Sequence, residues 1–80
     1  KEGNVMWREG SLKVHDSVFH YWIKQYDEGS EFGIDSGRIS KLTLKQNSAI
    51  ACNYDRGWDV KPADPDTQLA LELLLQCENH

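Results

Sequence analysis

The sequence predicts an α+β fold, in which an antiparallel meander of four strands carries one C-terminal helix on one face. Alternating apolar and polar residues between turn residues predict the four strands, at about 5–14, 18–26, 38–45 and 49–55. Leucines at helical spacing predict the helix, over about 65–78. Strands that precede a single helix are typical of a sheet covered on one side. We expect the 80 residues to form a single domain.

The first two predicted strands carry different signals. The strand over 5–14 contains Gly10, which we expect to mark a bulge or bend, because a glycine inside a strand pattern usually does. The second strand is rich in β-branched and aromatic residues, and its period of two defines two faces. One face carries Phe19, Tyr21 and Ile23. The other face carries Val18, His20, Trp22, Lys24 and Tyr26.

A glycine-rich connection over 27–37 precedes the third strand, and we expect its glycines to supply the positive φ that tight turns require. In the third strand Leu42 and Leu44 share one face, whereas the lysines lie on the other. The fourth strand is expected to point Ile50, Cys52 and Tyr54 inward. Residues 58–60 can add a short fifth strand.

Asp64, Pro65 and Asp66 predict the start of the helix. An aspartate N-cap, a proline at the first helical position and an acidic residue in the first turn are each favourable there. The apolar residues at helical spacing are expected to cover the sheet: Leu69, Ala70, Leu73, Leu74 and Cys77, with Leu71 and Leu75 widening the face.

Charge is distributed unevenly along the chain, whose net charge is −4. Residues 1–63 hold nine Lys and Arg against nine Asp and Glu, whereas residues 64–80 hold four acidic residues and no Lys or Arg. This balance disfavours a generally cationic nucleic-acid binder but leaves room for a local basic face. No apolar run approaches the roughly 20 residues of a transmembrane helix.

The two cysteines, Cys52 and Cys77, are too few for a disulfide framework, and no CxxC or Cys/His metal spacing occurs. Two reduced, mostly buried thiols are the favoured interpretation. A single Cys52–Cys77 bridge between a strand and the helix is the alternative.

The sequence contains no catalytic or metal-binding signature, and we expect no cofactor. The leading hypothesis is a non-catalytic binding or protein-interaction module with a protein partner, which can be a second copy in a homodimer. Trp, Tyr and Arg are the residue types enriched at interface hot spots. The interaction candidates are therefore Trp22, Tyr26, Arg38 and Trp58.

Two further hypotheses remain. Single-stranded nucleic acid can stack on aromatic residues interleaved with lysines, and the predicted outer face carries Lys24, Lys41 and Lys45 with Trp22 and Tyr26. The more distant hypothesis is an enzyme with a polar site near Arg38, Asp55 and Trp58. Structural ion pairs between such residues are more common than catalytic clusters.

Three segments of the chain resemble those of small uncharacterised single-domain proteins of Gram-positive bacteria and of their phages or mobile elements. The segments are Trp7-Arg8-Glu9-Gly10, 26–42 and Asn53-Tyr54-Asp55-Arg56-Gly57-Trp58-Asp59. The resemblance covers nearly the whole chain and implies a cytoplasmic bacterial protein. No chemistry is assigned to these motifs, so the resemblance implies no catalytic or binding residue.

Overall fold

The computed structural model describes residues 5–79, which form an α+β domain of five strands and one α-helix. The elements are β1 (Val5–Val14), β2 (Ser17–Tyr26), β3 (Ile39–Gln46), β4 (Ala49–Asp55), β5 (Trp58–Val60) and α1 (Pro65–Glu78). The strands form one sheet in the order β1-β2-β3-β4-β5, and every neighbouring pair is antiparallel. The predicted α+β class is confirmed, and the short fifth strand is present.

The inner face of the sheet, which α1 covers, forms the hydrophobic core. Phe19, Ile23, Leu42 and Leu44 are fully buried there, together with the thiol of Cys52. Ala70, Leu71 and Leu74 of α1 pack in the same cluster. The period of two in β2 and β3 predicted this face, because alternate residues of a strand point to the same side.

The helix begins as its sequence predicts. Asp64 is the N-cap, and its side chain accepts a hydrogen bond from the Thr67 N–H at 2.8 Å. The predicted apolar face is partly wrong, however, because Leu69 and Leu73 are 39% and 41% exposed and Cys77 is also exposed. A helix that lies on one flat layer is covered over only part of its circumference, and these three residues lie outside that arc.

The bulge expected at Gly10 is not present, because the β1–β2 register continues through this residue and pairs it with Tyr21. A Cβ atom at this position would lie 2.7 Å from Tyr21 Oη and 2.9 Å from Tyr21 Cζ. The glycine is therefore needed for the close approach of the Tyr21 ring, which occupies the space above β1.

The irregularities of the sheet lie elsewhere, at Lys24/Gln25, at Leu44/Lys45 and at Asn53/Tyr54. The second shift pairs Ile50 with Lys45, a residue whose side chain points away from α1. As a result Ile50 is 52% exposed, and its predicted inward orientation is wrong. A register shift of one residue reverses the face of every side chain beyond it.

The glycines of the 27–38 connection also have a different role from the expected one, because none of the described glycines has a positive φ. A Cβ at Gly33 would overlap the Gly37 carbonyl, and one at Gly37 would overlap the side chain of Asn79. Asn79 holds this connection: its Nδ2 donates to the Ile34 carbonyl at 2.8 Å, and its Oδ1 accepts from the Ile39 N–H at 2.9 Å. These glycines permit close backbone packing.

The two cysteines are free, so the alternative of a Cys52–Cys77 bridge is wrong. Cys52 is buried on the inner face, whereas Cys77 is exposed on α1. Burial raises the pKa of the Cys52 thiol to about 11, so it remains protonated and unreactive at neutral pH.

Candidate functional site

The outer face of the sheet, which points away from α1, is the candidate site. Its members are the residues of β1 to β4 that alternate with the core residues. They include Val5, Trp7, Glu9, Ser11, Lys13, Val18, His20, Trp22, Lys24, Tyr26, Lys41, Thr43, Lys45, Ile50, Asn53 and Asp55. Within residues 5–79, α1 is the one long helix and it packs on the inner face, so no layer covers this side.

One cluster on the outer face, the Lys24 cluster, joins β1 and β2. Lys24 Nζ lies 5.7 Å from the centroid of the Trp7 ring and 5.4 Å from that of the Tyr26 ring. Both distances allow a cation–π attraction. Trp7 is 63% exposed, whereas Tyr26 and Lys24 are half-buried. A lysine held between two rings presents both a charge and an aromatic surface.

A second cluster, the Trp22 cluster, lies further along β2 and joins it to β3. The rings of His20 and Trp22 stand 4.4 Å apart at 45°, and Lys45 Nζ lies 5.5 Å from the Trp22 ring. A shallow, open depression of about 470 Å³ adjoins this cluster, and Val18 and Asn47 contribute to its walls. The depression is open to solvent and lies beside the rings of His20 and Trp22.

Charges of both signs occur on the outer face. Lys41 Nζ lies 3.8 Å from Asp55 Oδ1, and both side chains are substantially exposed, so this pair contributes little stability. Lys24 and Lys41 are directly opposite each other on β2 and β3. Like charges in opposite positions repel, and here Asp55 lies beside Lys41 while two rings flank Lys24.

A chain of hydrogen bonds connects Ser11, His20 and Glu9. Ser11 Oγ lies 3.4 Å from His20 Nδ1, and His20 Nε2 lies 3.0 Å from Glu9 Oε2. The order of groups resembles that of a catalytic triad. The arrangement follows from strand pairing, however, since Ser11 is directly opposite His20. The histidine and the glutamate are well exposed, so water competes for every bond in the chain. We interpret it as a cross-strand surface network.

The structure places the four predicted interaction residues in three regions. Trp22 and Tyr26 lie on the outer face, with the predicted lysines 24, 41 and 45. Trp58 packs edge-on against Tyr54 at 5.1 Å between ring centroids, so it extends the inner face at the β5 edge. Arg38 lies just before β3, and its Nε donates to the carbonyl of Tyr26, the last residue of β2, at 2.8 Å.

The polar site considered near Arg38, Asp55 and Trp58 stays a prediction. The carboxylate of Asp55 pairs with Lys41, the ring of Trp58 packs on Tyr54, and Arg38 Nε donates to the Tyr26 carbonyl. Among residues 5–79, no three His, Cys, Asp or Glu side chains lie close enough to hold a metal ion. No helix in the described part of the chain is both long and apolar enough to span a membrane.

Sequence reasoning missed Trp7 and Glu9 as members of the outer face. Both lie at odd positions of β1, in the same alternation as Ser11 and Lys13. The sequence contains this alternation. A bulge at Gly10 would, however, reverse the faces of the residues before it, so the expected bulge prevented the assignment of Trp7 and Glu9 to the outer face. An uninterrupted period of two was the available signal.

Comparisons with known proteins complete the description of the site. No curated protein and no solved structure matches the chain. A family model described as a domain of unknown function, DUF7678, matches residues 6–79, which include the Lys24 and Trp22 clusters of the outer face. The chain therefore belongs to the DUF7678 family of domains of unknown function.

Proposed function

We propose that this domain is a non-catalytic binding module that recognises a partner protein through the outer face of the sheet. The observation that carries the proposal is the uncovered layer in which Trp7, Trp22 and Tyr26 lie among lysines. Tryptophan and tyrosine are enriched at the energetic centres of protein interfaces. Trp22 and Tyr26 are also already held by neighbours, so less rotamer entropy is lost on binding.

The mixed charge of the outer face favours a protein over a nucleic acid as the first candidate. Four lysines on this face are accompanied by Glu9 and Asp55, and each carboxylate has a cationic or histidine neighbour. A protein surface can pair with charges of both signs, whereas a phosphate backbone is repelled by carboxylates.

The proposal can be tested by photocross-linking in cells that express the protein. A photoreactive phenylalanine derivative replaces Trp22 in one variant and Leu69 in a matched control, because Leu69 is an exposed apolar residue on the opposite side of the domain. We expect a cross-linked protein from position 22 that is absent from position 69. The adduct should resist nuclease, and mass spectrometry should identify peptides of a different protein.

Three results would contradict this proposal. Equal products from positions 22 and 69 would show non-specific contact, and no product from position 22 would show an unoccupied face. An adduct that nuclease removes would assign the face to nucleic acid instead.

Nucleic acid is the second candidate, and the Lys24–Lys41 pair is the observation that favours it. These two lysines face each other across β2 and β3, and Lys45 follows on β3 beside the Trp22 ring. An anionic ligand relieves the repulsion between opposite lysines, while the rings offer surfaces on which bases stack.

A fluorescent single-stranded oligonucleotide of mixed sequence tests this candidate. If roughly four lysines contact phosphates, log affinity should fall with log salt concentration at a slope near −3. In the Lys24→Gln/Lys45→Gln variant the slope should become shallower, by about one or more, because fewer lysines contact phosphates. Binding that is absent, or that does not depend on salt, would exclude the candidate.

A further inference from the structure

The two edges of the sheet differ in how well they are protected. At one edge β5 is three residues long, its pairing with β4 is irregular, and Pro62 follows it closely. At the other edge β1 is ten residues long and pairs with β2 without a register shift. A long regular edge strand without proline or bulge is a template for another strand.

The turn between β1 and β2 determines which backbone groups of β1 are free. Val14 and Ser17 flank the two-residue turn and form its hydrogen-bonded pair. Hydrogen-bonded and non-bonded pairs alternate along an antiparallel ladder. The even-numbered residues of β1 therefore bond to β2. The N–H and C=O groups that point outward belong to the odd-numbered residues Val5, Trp7, Glu9, Ser11 and Lys13, and all five residues are exposed.

We propose that this edge of β1 pairs antiparallel with β1 of a second copy of the chain, in a register centred on Ser11. In that register Glu9 of each copy lies directly opposite Lys13 of the other, so two opposite-charge pairs form on the same face. A register centred on Glu9 or on Lys13 places like charges opposite each other. One centred on Gly10 places Glu9 opposite Ser11 and leaves the charges without direct partners.

The pairing has a structural consequence for the outer face. Directly opposite residues of antiparallel strands point to the same side, so the two outer faces become continuous. The two five-stranded sheets then join into one continuous sheet. The two copies of Trp7 and Lys24 then lie on a single surface. This pairing does not depend on what the outer face binds.

Charge exchange across the edge tests the proposal. Light scattering from micromolar to millimolar concentrations should give a mass twice the 9.2 kDa of the chain. Glu9→Lys places lysines opposite each other, and Lys13→Glu places glutamates opposite each other. Each single variant should weaken the dimer about tenfold or more, and the double variant Glu9→Lys/Lys13→Glu should restore it. Lys41→Glu, the same charge change on β3, is the matched control.

Two variants of Ser11 test the backbone pairing and the register. Ser11→Pro removes an outward N–H without breaking the β1–β2 ladder, so it should abolish the dimer, whereas Ser11→Thr should retain it. In a Cys77→Ser background, Ser11→Cys should form a disulfide-linked dimer under mild oxidation. Val18→Cys, an exposed site on β2 away from the edge, should not.

The proposal is overturned if the wild-type protein stays monomeric up to millimolar concentration. It is also overturned if a dimer forms but survives Ser11→Pro and both single charge changes, because another surface then holds it. Trp22→Thr separates this proposal from the proposed function. That variant should keep the dimer whether or not the outer face binds a partner.

Discussion

The inner and outer faces of the sheet are built from alternate residues of the same strands, yet their side chains meet different requirements. Along β2, Phe19 and Ile23 are completely buried beneath α1, whereas Trp22 and Lys24 lie in an uncovered layer. The inner face stabilises the fold by removing apolar area from water. The outer face keeps large rings partly exposed, which costs stability. This difference shows that one side of each strand stabilises the fold, whereas the proposed binding would use the other side.

The largest expected effect comes from a comparison of two consecutive residues of β2. Phe19→Ala should lower the free energy of unfolding by about 3–5 kcal/mol, because it leaves a cavity in the core. Val18→Ala, at a residue 56% exposed on the outer face, should change it by less than about 0.5 kcal/mol. Urea denaturation measures both. If Phe19→Ala does not fold, Ile23→Val should still show a graded loss of about 1 kcal/mol. Similar losses for Phe19→Ala and Val18→Ala would contradict the division.

The next pair, Gln25 and Lys24, tests polar groups on the two faces. Gln25 is buried, accepts from Arg8 Nε at 2.6 Å and donates to the Glu78 carbonyl at 2.7 Å. Gln25→Ala should cost about 1–3 kcal/mol because it removes both bonds in a buried place. Lys24→Ala should cost no more than about 1 kcal/mol, the size of an exposed cation–π contact. A larger loss of unfolding free energy for Lys24→Ala than for Gln25→Ala would contradict the difference between the two faces.

A smaller effect is expected at Gly10, where the inner face has no side chain of its own. Gly10→Ala should cost about 1 kcal/mol or more, since the new Cβ would displace the Tyr21 ring. In the background Tyr21→Ser the same change should cost much less, because the obstructing ring is absent. A double-mutant cycle by thermal unfolding measures this coupling. Additive costs would refute the role assigned to the close contact.

The smallest effect concerns the contact between α1 and the β1–β2 turn. Hydrogen bonds from Ser17 and His15 hold the pKa of Asp66 below its usual range. A carboxyl group whose pKa is lowered by folding stabilises the protein above its unfolded pKa and loses that effect as pH falls through its folded pKa. The melting temperature should therefore decrease as the solution is acidified below about pH 4. Asp66→Asn should reduce this decrease, and an unchanged acid dependence would contradict the assignment.

Much of this arrangement follows from local sequence patterns. The alternation in β2 is enough to separate Phe19 from Trp22, because side-chain direction in a strand depends only on parity. The position of Asp64 before Pro65 likewise predicts the helix start from local hydrogen bonding.

The errors arise where parity depends on a distant partner. Ile50 points outward because β4 shifts its register against β3, and a single strand does not contain that information. A glycine is required at position 10 because the ring of Tyr21, on the next strand, leaves no room for a side chain. Among the candidate binding residues, Trp22 and Tyr26 follow from the pattern of one strand. The positions of Arg38 and Trp58 depend on how two connections leave the sheet.

Asn79 gives the end of the helix a role in the order of local unfolding. Its side chain and carbonyl bond to Ile34, Ile39 and the Arg38 N–H, so the last helical turn and the 27–38 connection share these bonds. When the turn frays, the connection loses three bonds in the same event. The two segments, joined by bonds between residues 40 to 45 positions apart in sequence, therefore form one opening unit. In native-state hydrogen exchange, the amides of Arg38 and Ile39 should exchange at the rate of the helix terminus and faster than those of central β3.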